Sequence, residues 1–222
     1  IIFGGTVPFT KIALEGFSPI EIMLSRILFG GGVAFVILLF KKRLSDIPKY
    51  KDFLWKMALG KCLFPVLLAV SLAGLPANFG GVALGLIPFA TSILAIIILK
   101  EKVKKSFFLY GAAGSLSVIL YSFQAVADFT YHIPLIFIAV IICGIGYTYG
   151  ASLAKNVGGI MSVCLANGSL FPFVFTFCLC TQFPDFLNAP KESLYSLFYL
   201  GLMSQLIGFF PFYTGLSIIC VA

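Results

Sequence analysis

The stretch GLIPFATSILAIIILKEKVKK, residues 85–105, indicates which solvent surrounds this chain. Residues 85–99 are uncharged, yet they include Pro88, and a proline inside a helix in water costs about 3 kcal/mol. In a membrane bundle, neighbouring helices and hydroxyl groups satisfy the carbonyl that a proline frees, and Thr91 and Ser92 follow one turn later. A block of lysines then ends the apolar run. The stretch therefore predicts a kinked membrane-spanning helix that ends at a charged membrane surface.

The composition of the whole chain supports this interpretation. Of the 222 residues, 60% are hydrophobic and 10% are charged, whereas about a quarter of the residues in a soluble domain are charged. So few polar residues cannot cover the surface of a soluble protein of this length. We therefore predict an integral membrane protein.

Apolar segments separated by short polar loops follow one another along the chain. They lie near residues 1–14, 18–40, 53–75, 77–99, 106–126, 133–154, 159–182 and 193–219. All but the first have about 20 residues or more, which is long enough to cross a hydrocarbon core of ~30 Å as a helix. We predict an all-α polytopic helical bundle. The first segment starts at Ile1, with neither a methionine nor a signal peptide before it, so we expect the natural chain to start earlier.

Basic residues are distributed unequally between the loops. If the first helix leaves the cytoplasm, one side of the membrane receives only Lys11 and Lys191. The other side receives Lys41, Lys42, Arg43, Lys49, Lys51, Lys56, Lys100, Lys102, Lys104, Lys105 and Lys155. Loops rich in Lys and Arg stay in the cytoplasm, so the loops after helices 2, 4 and 6 are predicted to be cytoplasmic. The net charge of +7 fits loops beside anionic lipid and requires no nucleic-acid partner.

Weak internal repetition relates the beginning of the chain to its end. Phe64-Pro65-Val66 in helix 3 corresponds to Phe210-Pro211-Phe212 in helix 8, and Arg26 in helix 2 corresponds to Asn167 in helix 7. Helices 1, 2 and 3 thus match helices 6, 7 and 8, an offset of five. Because five is odd, the two repeats must cross the membrane in opposite directions, as in many secondary transporters. We predict a first repeat over 1–126 and a partial second repeat over 127–222.

The same residues resemble a known family. Residues 85–103, with a mid-helix proline and the sequence Lys-Glu-Lys at the end, resemble the fourth-helix signature of EamA-type domains in the drug/metabolite transporter superfamily. Gly4-Gly5 with Lys11 and Ser18-Pro19 resemble the family's first helix and loop, and Arg26 matches an arginine often found on the second helix. The resemblance implies ten helices in two inverted five-helix repeats around a central cavity that opens alternately to each side. It also implies export or exchange of amino acids, other small metabolites or nucleotide sugars, here across a bacterial cytoplasmic (inner) membrane.

The sequence departs from this pattern at its end. In the family the fourth-helix motif returns in a ninth helix, whereas this sequence stops at Ala222, after helix 8. We expect a fragment that lacks helices 9 and 10, because a missing cavity wall would leave polar groups facing lipid at several kcal/mol each. The alternative is a truncated remnant.

Polar side chains within the apolar segments are the candidates for substrate binding. An ionisable side chain deep in a span costs roughly 2.5–3.5 kcal/mol, which makes it a functional candidate. The substrate-binding candidates are Arg26, Lys61, Asn78, Tyr147, Tyr149, Asn167 and Gln205, and the predicted kinks or hinges are at Pro65, Pro88 and Pro211. In the alternative interpretation, the arginine extends to the lipid headgroups and the amides only join helices.

Catalytic and metal-binding patterns are missing from the sequence. The six cysteines lie in apolar runs without a CxxC spacing, and His132 is the only histidine. We therefore predict no enzyme, no catalytic residues, no metal and no cofactor. The predicted function is secondary transport of small metabolites such as amino acids by alternating access, with a small-molecule substrate and the bilayer as partners. The sequence is compatible with a homodimer. A non-transporting membrane scaffold is the alternative function, and an integral membrane enzyme is disfavoured because the sequence contains no His/Asp/Glu cluster.

Overall fold

The described part of the chain consists of helices joined by short loops. The computed structural model describes residues 2–100, 105–125, 130–181 and 183–218, and these ranges contain no β-strand. Three charged residues of the predicted basic loop after helix 4 (Glu101, Lys102 and Lys104) lie outside the described residues.

A helix forms at each predicted apolar segment. After a short 3-10 turn, Phe3–Gly5, the helices are α1 (Thr6–Ala13), α2 (Pro19–Phe40), α3 (Lys51–Gly74), α4 (Ala77–Leu99), α5 (Lys105–Ala125), α6 (His132–Val157), α7 (Gly159–Cys180) and α8 (Lys191–Ile218). Within the described ranges, α2, α3, α4, α6, α7 and α8 are long and apolar enough to cross a membrane, whereas the apolar part of α5, Phe108–Val118, is shorter. The predicted all-α polytopic membrane protein is confirmed.

Local sequence explains where α2 begins. The backbone N–H of Ser18 donates to Glu21 Oε2 at 2.8 Å, and the backbone N–H of Glu21 donates to Ser18 Oγ at 3.3 Å, so the two residues form a capping box. Pro19 occupies the first helical position, where its missing N–H would have had no intrahelical partner. Ser18, Pro19 and Glu21 therefore fix the first turn of this span.

The three prolines predicted to bend helices have different surroundings. Helix α4 is interrupted between Ala77–Leu84 and Ile87–Leu99. Pro88 is the second residue of the second segment, and Ser92 Oγ donates to its carbonyl at 2.9 Å. Pro65 lies inside α3, which continues without a break. Pro211 lies in the last segment of α8, after a stretch of π-helix.

Two stretches of π-helix face each other across the α2–α8 interface. They are Ile27–Gly31 in α2 and Tyr199–Ile207 in α8, and they pack together. A Cβ added to Gly30 would overlap the carbonyl oxygen of Gly201, so a glycine is needed here for close backbone approach. Arg26 directly precedes the first stretch and Gln205 lies within the second, so this interface places two polar side chains next to each other.

Helix α6 forms the centre of the bundle. It packs along α3, with further contacts to α4, α7 and α8. The apolar core between α3 and α6 includes Leu68, Leu72 and Ile136. Nearer the middle of both helices, Gly60 and Gly146 meet, and a Cβ on Gly60 would lie 3.0 Å from the Cα of Gly146. Small residues thus bring the two backbones together on one side of a cavity.

Candidate functional site

A cavity of about 330 Å³ lies within the bundle. Its described lining comes from the start of the chain and from α2, α3, α4, α6 and α8. Most of the surface is apolar, and a few polar side chains converge on it. This combination is typical of small-molecule binding sites, whose volumes start near ~300 Å³.

Arg26 of α2 reaches this cavity and is 3% exposed. Its Nη2 donates to Gln205 Oε1 at 3.0 Å, across 179 positions of sequence. Its Nε and Nη1 are buried and have no hydrogen-bond partner among the described residues. Two N–H-bearing nitrogens of a buried cation that lines the cavity are therefore without a hydrogen-bond partner among the described residues.

Lys61 of α3 is the second cation at the cavity and is 7% exposed. Its Nζ has no hydrogen-bond partner in the described part of the chain. The ammonium lies 3.9 Å from the centre of the Phe209 ring, within the range of a cation–π interaction. Such a contact is worth about 0.5–2 kcal/mol and leaves the positive charge in place.

The amide side chains of Gln205 and Asn167 hold Arg26 in position. Gln205 Nε2 donates to Asn167 Oδ1 at 3.2 Å, while Asn167 Nδ2 donates to the carbonyls of Gln205 at 3.2 Å and Val163 at 3.1 Å. Gln205 lines the cavity, whereas the described lining does not include Asn167. These hydrogen bonds fix the amide orientation that points Gln205 Oε1 at Arg26, so Asn167 acts on the cavity through its neighbour.

Aromatic rings form one wall of the cavity. Tyr147 of α6 lies with its ring centre 5.4 Å from that of Phe209 and 5.1 Å from that of Phe212. Tyr213 completes the group, and its Oη lies 3.4 Å from the Gly146 carbonyl, to which it donates. Of these four ring residues, sequence analysis selected only Tyr147. The run FFPFY over 209–213 was the available signal for the other three, but aromatic residues in lipid contact look the same in a sequence.

Two hydroxyl groups at the cavity were also missed. Thr6 Oγ1 and Ser204 Oγ lie 2.9 Å apart and hydrogen-bond to each other, which joins α1 to α8. Both residues line the cavity. Single threonines and serines are too common in membrane helices for the sequence to mark these two.

Two predicted site residues lie elsewhere. Asn78 is exposed near the start of α4, and its Nδ2 donates to Tyr121 Oη of α5 at 3.0 Å. Tyr149 has the Lys56 ammonium 4.6 Å from its ring centre and packs, partly buried, against the apolar core. Neither is among the described lining residues. The structure thus brings together Arg26, Lys61, Tyr147 and Gln205, with Asn167 behind them.

Comparison with known protein families gives this cavity its context. Residues 1–123, more than half of the chain, match the EamA-like transporter family. The chain belongs to the EamA-like transporter family. This confirms the resemblance derived from residues 85–103 and Arg26.

Two relatives of this EamA-like protein come from Bacillus subtilis (strain 168). One, named "Uncharacterized transporter YdeK", is 29% identical over 224 residues, covering 98% of this chain and 76% of the relative. The other, "Uncharacterized transporter YdfC", is 25% identical over 215 residues, covering 94% of this chain and 69% of the relative. Family and relatives point to a membrane transporter rather than an enzyme.

The cavity of this EamA-like protein offers several kinds of groups that can bind a solute. Its described lining supplies cations, one amide, hydroxyl groups and aromatic rings, and no Asp or Glu. No group of three or more His, Cys, Asp or Glu side chains suited to a metal occurs among the described residues. The ion pair between Arg43 and Asp46 lies in the loop after α2, away from the cavity. The arrangement can therefore hold a solute by charge, hydrogen bonds and ring contacts.

Proposed function

We propose that this protein is a secondary transporter that carries small metabolites, such as amino acids, by alternating access, as an exporter or exchanger in a bacterial cytoplasmic membrane. One observation carries the proposal: two buried cations, Arg26 and Lys61, line the cavity between the helices. Burying a charge in a membrane helix is costly, and such charges are found along substrate pathways. A cavity that lies between membrane helices and is lined by buried cations is suited to a solute that leaves the aqueous phase.

The helix contacts support the alternating-access part of this proposal. If α1, α2 and α3 are exchanged for α6, α7 and α8, the α3–α6 interface maps onto the α8–α1 interface, and the α2–α3 interface maps onto the α7–α8 interface. The α2–α7 interface maps onto itself. Such a pattern is expected of repeats over 1–126 and 127–222 that rock against each other around a fixed site.

The basic loops support the proposed orientation. Lys41, Lys42 and Lys51, beside the loop between α2 and α3, are exposed, as are Lys100 after α4 and Lys155 near the end of α6. In the proposed orientation all five face the cytoplasmic leaflet, whose anionic lipids attract them. The positive-inside rule favours this orientation over its inverse.

A membrane scaffold that transports nothing is the competing interpretation. A scaffold needs helix packing, and apolar side chains with small residues provide that in lipid. It gains nothing from Lys61, whose ammonium is buried without a hydrogen-bond partner among the described residues. The cavity and its cations therefore favour transport.

Reconstituted full-length protein provides the test. Proteoliposomes loaded with a mixture of amino acids and other small metabolites should exchange at least one of them for external labelled solute. Gly81 lines the cavity and Gly215 lies on α8 away from it, and a Cβ at either position meets no atom within 4 Å. Gly81→Trp should therefore block exchange, whereas Gly215→Trp should leave it intact. Equal exchange rates in both variants, or no exchange by the unaltered protein, would contradict the proposal.

A further inference from the structure

We propose that the solute carried by this cavity is an organic anion, a carboxylate on an apolar body, and that Arg26 and Lys61 bind its carboxylate together. This inference rests on the proposed function and narrows it to a substrate class. Among small metabolites, the site then favours carboxylates that carry no ammonium group. Four features of the described residues carry the inference: the charge, its neutral supports, the free hydrogen-bond donors and the nature of the walls.

The cavity has an excess of positive charge. Arg26 and Lys61 are each more than nine-tenths buried, and both line the same 330 Å³ space. No described lining residue carries a carboxylate that would offset them. A buried charge without a partner is strongly unfavourable, so a solute that brings a negative charge gains binding energy from both side chains.

The groups that hold the two cations are neutral. Arg26 donates to the amide of Gln205, not to a glutamate, and Lys61 lies over the ring of Phe209. An amide and a ring can fix the positions of the two charged groups without cancelling the charges. A site that held these cations for stability alone would be expected to pair them with acids. Their neutral supports keep both charges available to a ligand.

The free donors fit a carboxylate. Arg26 retains Nε and Nη1, and Lys61 retains Nζ, as buried nitrogens without partners among the described residues. A carboxylate has two acceptor oxygens, so one oxygen can accept from each cation in charge-assisted hydrogen bonds. The hydrogen bond that Gln205 Nε2 donates to Asn167 Oδ1 orients the amide oxygen that holds the arginine in advance, which lowers the entropy lost on binding.

The walls restrict what the rest of the solute can be. Beside the cations, the cavity presents Met57, Phe64, Tyr147 and Phe212, which suit an aliphatic or aromatic body. The ammonium of an amino acid would lie near two cations, with no carboxylate among the described lining residues to offset it.

Three solutes with the same phenyl body test the inference, because they differ mainly in charge. They are 3-phenylpropionate (an anion), L-phenylalanine (a zwitterion) and 2-phenylethylamine (a cation). Binding to the full-length protein in lipid nanodiscs is measured by titration calorimetry. We expect 3-phenylpropionate to bind tightest and 2-phenylethylamine weakest. If 3-phenylpropionate binds no tighter than the other two, the inference is wrong.

Matched variants locate the binding groups. Lys61→Gln should weaken 3-phenylpropionate by about tenfold or more, the value of a hydrogen bond to a charged group, and Lys61→Arg should restore most of the affinity. Lys56 also lies on α3 above an aromatic ring but does not line the cavity, so Lys56→Gln is the control. The neutral amide 3-phenylpropanamide should lose much less affinity than the carboxylate in Lys61→Gln, which separates a lost charge from a misfolded protein. Unchanged affinity for the carboxylate in Lys61→Gln would overturn the inference.

Different results would contradict the proposed transport function and the proposed substrate class. If proteoliposomes exchange phenylalanine while nanodisc-bound protein shows no preference for the anion, transport stands and the substrate class is wrong. If the anion is preferred and Lys61→Gln removes that preference, but no solute crosses the membrane, the site is correct and the transport function is wrong.

Discussion

The ammonium of Lys61 lies 3.9 Å from the centre of the Phe209 ring, and Arg26, at the same cavity, hydrogen-bonds to the uncharged amide of Gln205. Lys61 and Phe209 are 148 positions apart in the sequence, on α3 and α8. In both cases a neutral group holds a buried cation in place. No described lining residue is an acid that could pair with either cation, and this distinguishes the site from an internal salt bridge.

Introducing an acid beside Arg26 should neutralise the positive charge to which the carboxylate of the solute binds. In Gln205→Glu, the new carboxylate would form an ion pair with the arginine. We expect the affinity for 3-phenylpropionate to fall by about tenfold or more, measured by titration calorimetry. Asn156 is exposed near the end of α6, so Asn156→Asp adds the same charge away from the cavity and should leave affinity unchanged. Retained affinity in Gln205→Glu would argue against a role for the arginine charge.

Close approach of α2 and α8 should depend on Gly30. In Gly30→Ala, the added methyl group would overlap the carbonyl oxygen of Gly201, and overpacking of this kind typically costs about 1–3 kcal/mol. We expect a lower midpoint of thermal unfolding in detergent. At Gly114 a Cβ would meet no described atom within 4 Å, so Gly114→Ala should not lower the midpoint. Equal midpoints for the two variants would mean that the α2–α8 interface tolerates separation.

The capping box of α2 should contribute measurable stability. Ser18→Ala removes the hydroxyl that accepts from the Glu21 N–H, and the loss of an N-cap side chain costs about 1 kcal/mol. We expect faster amide hydrogen exchange in the first turn of α2. Ser45 precedes the helical turn Asp46–Lys49 without a side-chain cap, so Ser45→Ala is the matched control. No difference in exchange between the two variants would contradict a stabilising role for the cap.

The side of the membrane on which each loop lies can be tested at Lys42, Lys155 and Asn188. In the proposed orientation Lys42, after α2, and Lys155, near the end of α6, lie on the cytoplasmic side, whereas Asn188, before α8, lies outside. In a background without native cysteines, Asn188→Cys should react with a membrane-impermeant thiol reagent added to intact cells. Lys42→Cys and Lys155→Cys should react only after the membrane is opened. Reaction of Lys42→Cys and Lys155→Cys from opposite sides would contradict the inverted repeats.

Local chemistry in the sequence was sufficient to predict the helices and to select two of the residues that line the cavity. The apolar runs predict α2, α3 and α4 because a span needs about 20 apolar residues, a property of one segment alone. Arg26 and Lys61 were recognisable because a charge inside an apolar run is rare for the same reason. Pro88 likewise marked the interruption of α4, since a missing N–H acts locally.

Which faces of the helices meet could not be predicted from any one segment. Tyr147 and Tyr149 are two residues apart on α6, so they point about 200° apart around the helix, and only Tyr147 is at the cavity. Asn78 was a plausible candidate by polarity, yet it joins α4 to α5 instead.

The sequence by itself determined that this chain lies in a membrane as a helical bundle, because the length and apolarity of each segment decide how it interacts with lipid. The tertiary structure alone decided that Gln205 holds Arg26, that Phe209 lies under Lys61 and that the two cations share one cavity. The first two relationships join residues more than 140 positions apart. They depend on how helices rotate and pack against one another, and side-chain contacts between helices set that rotation.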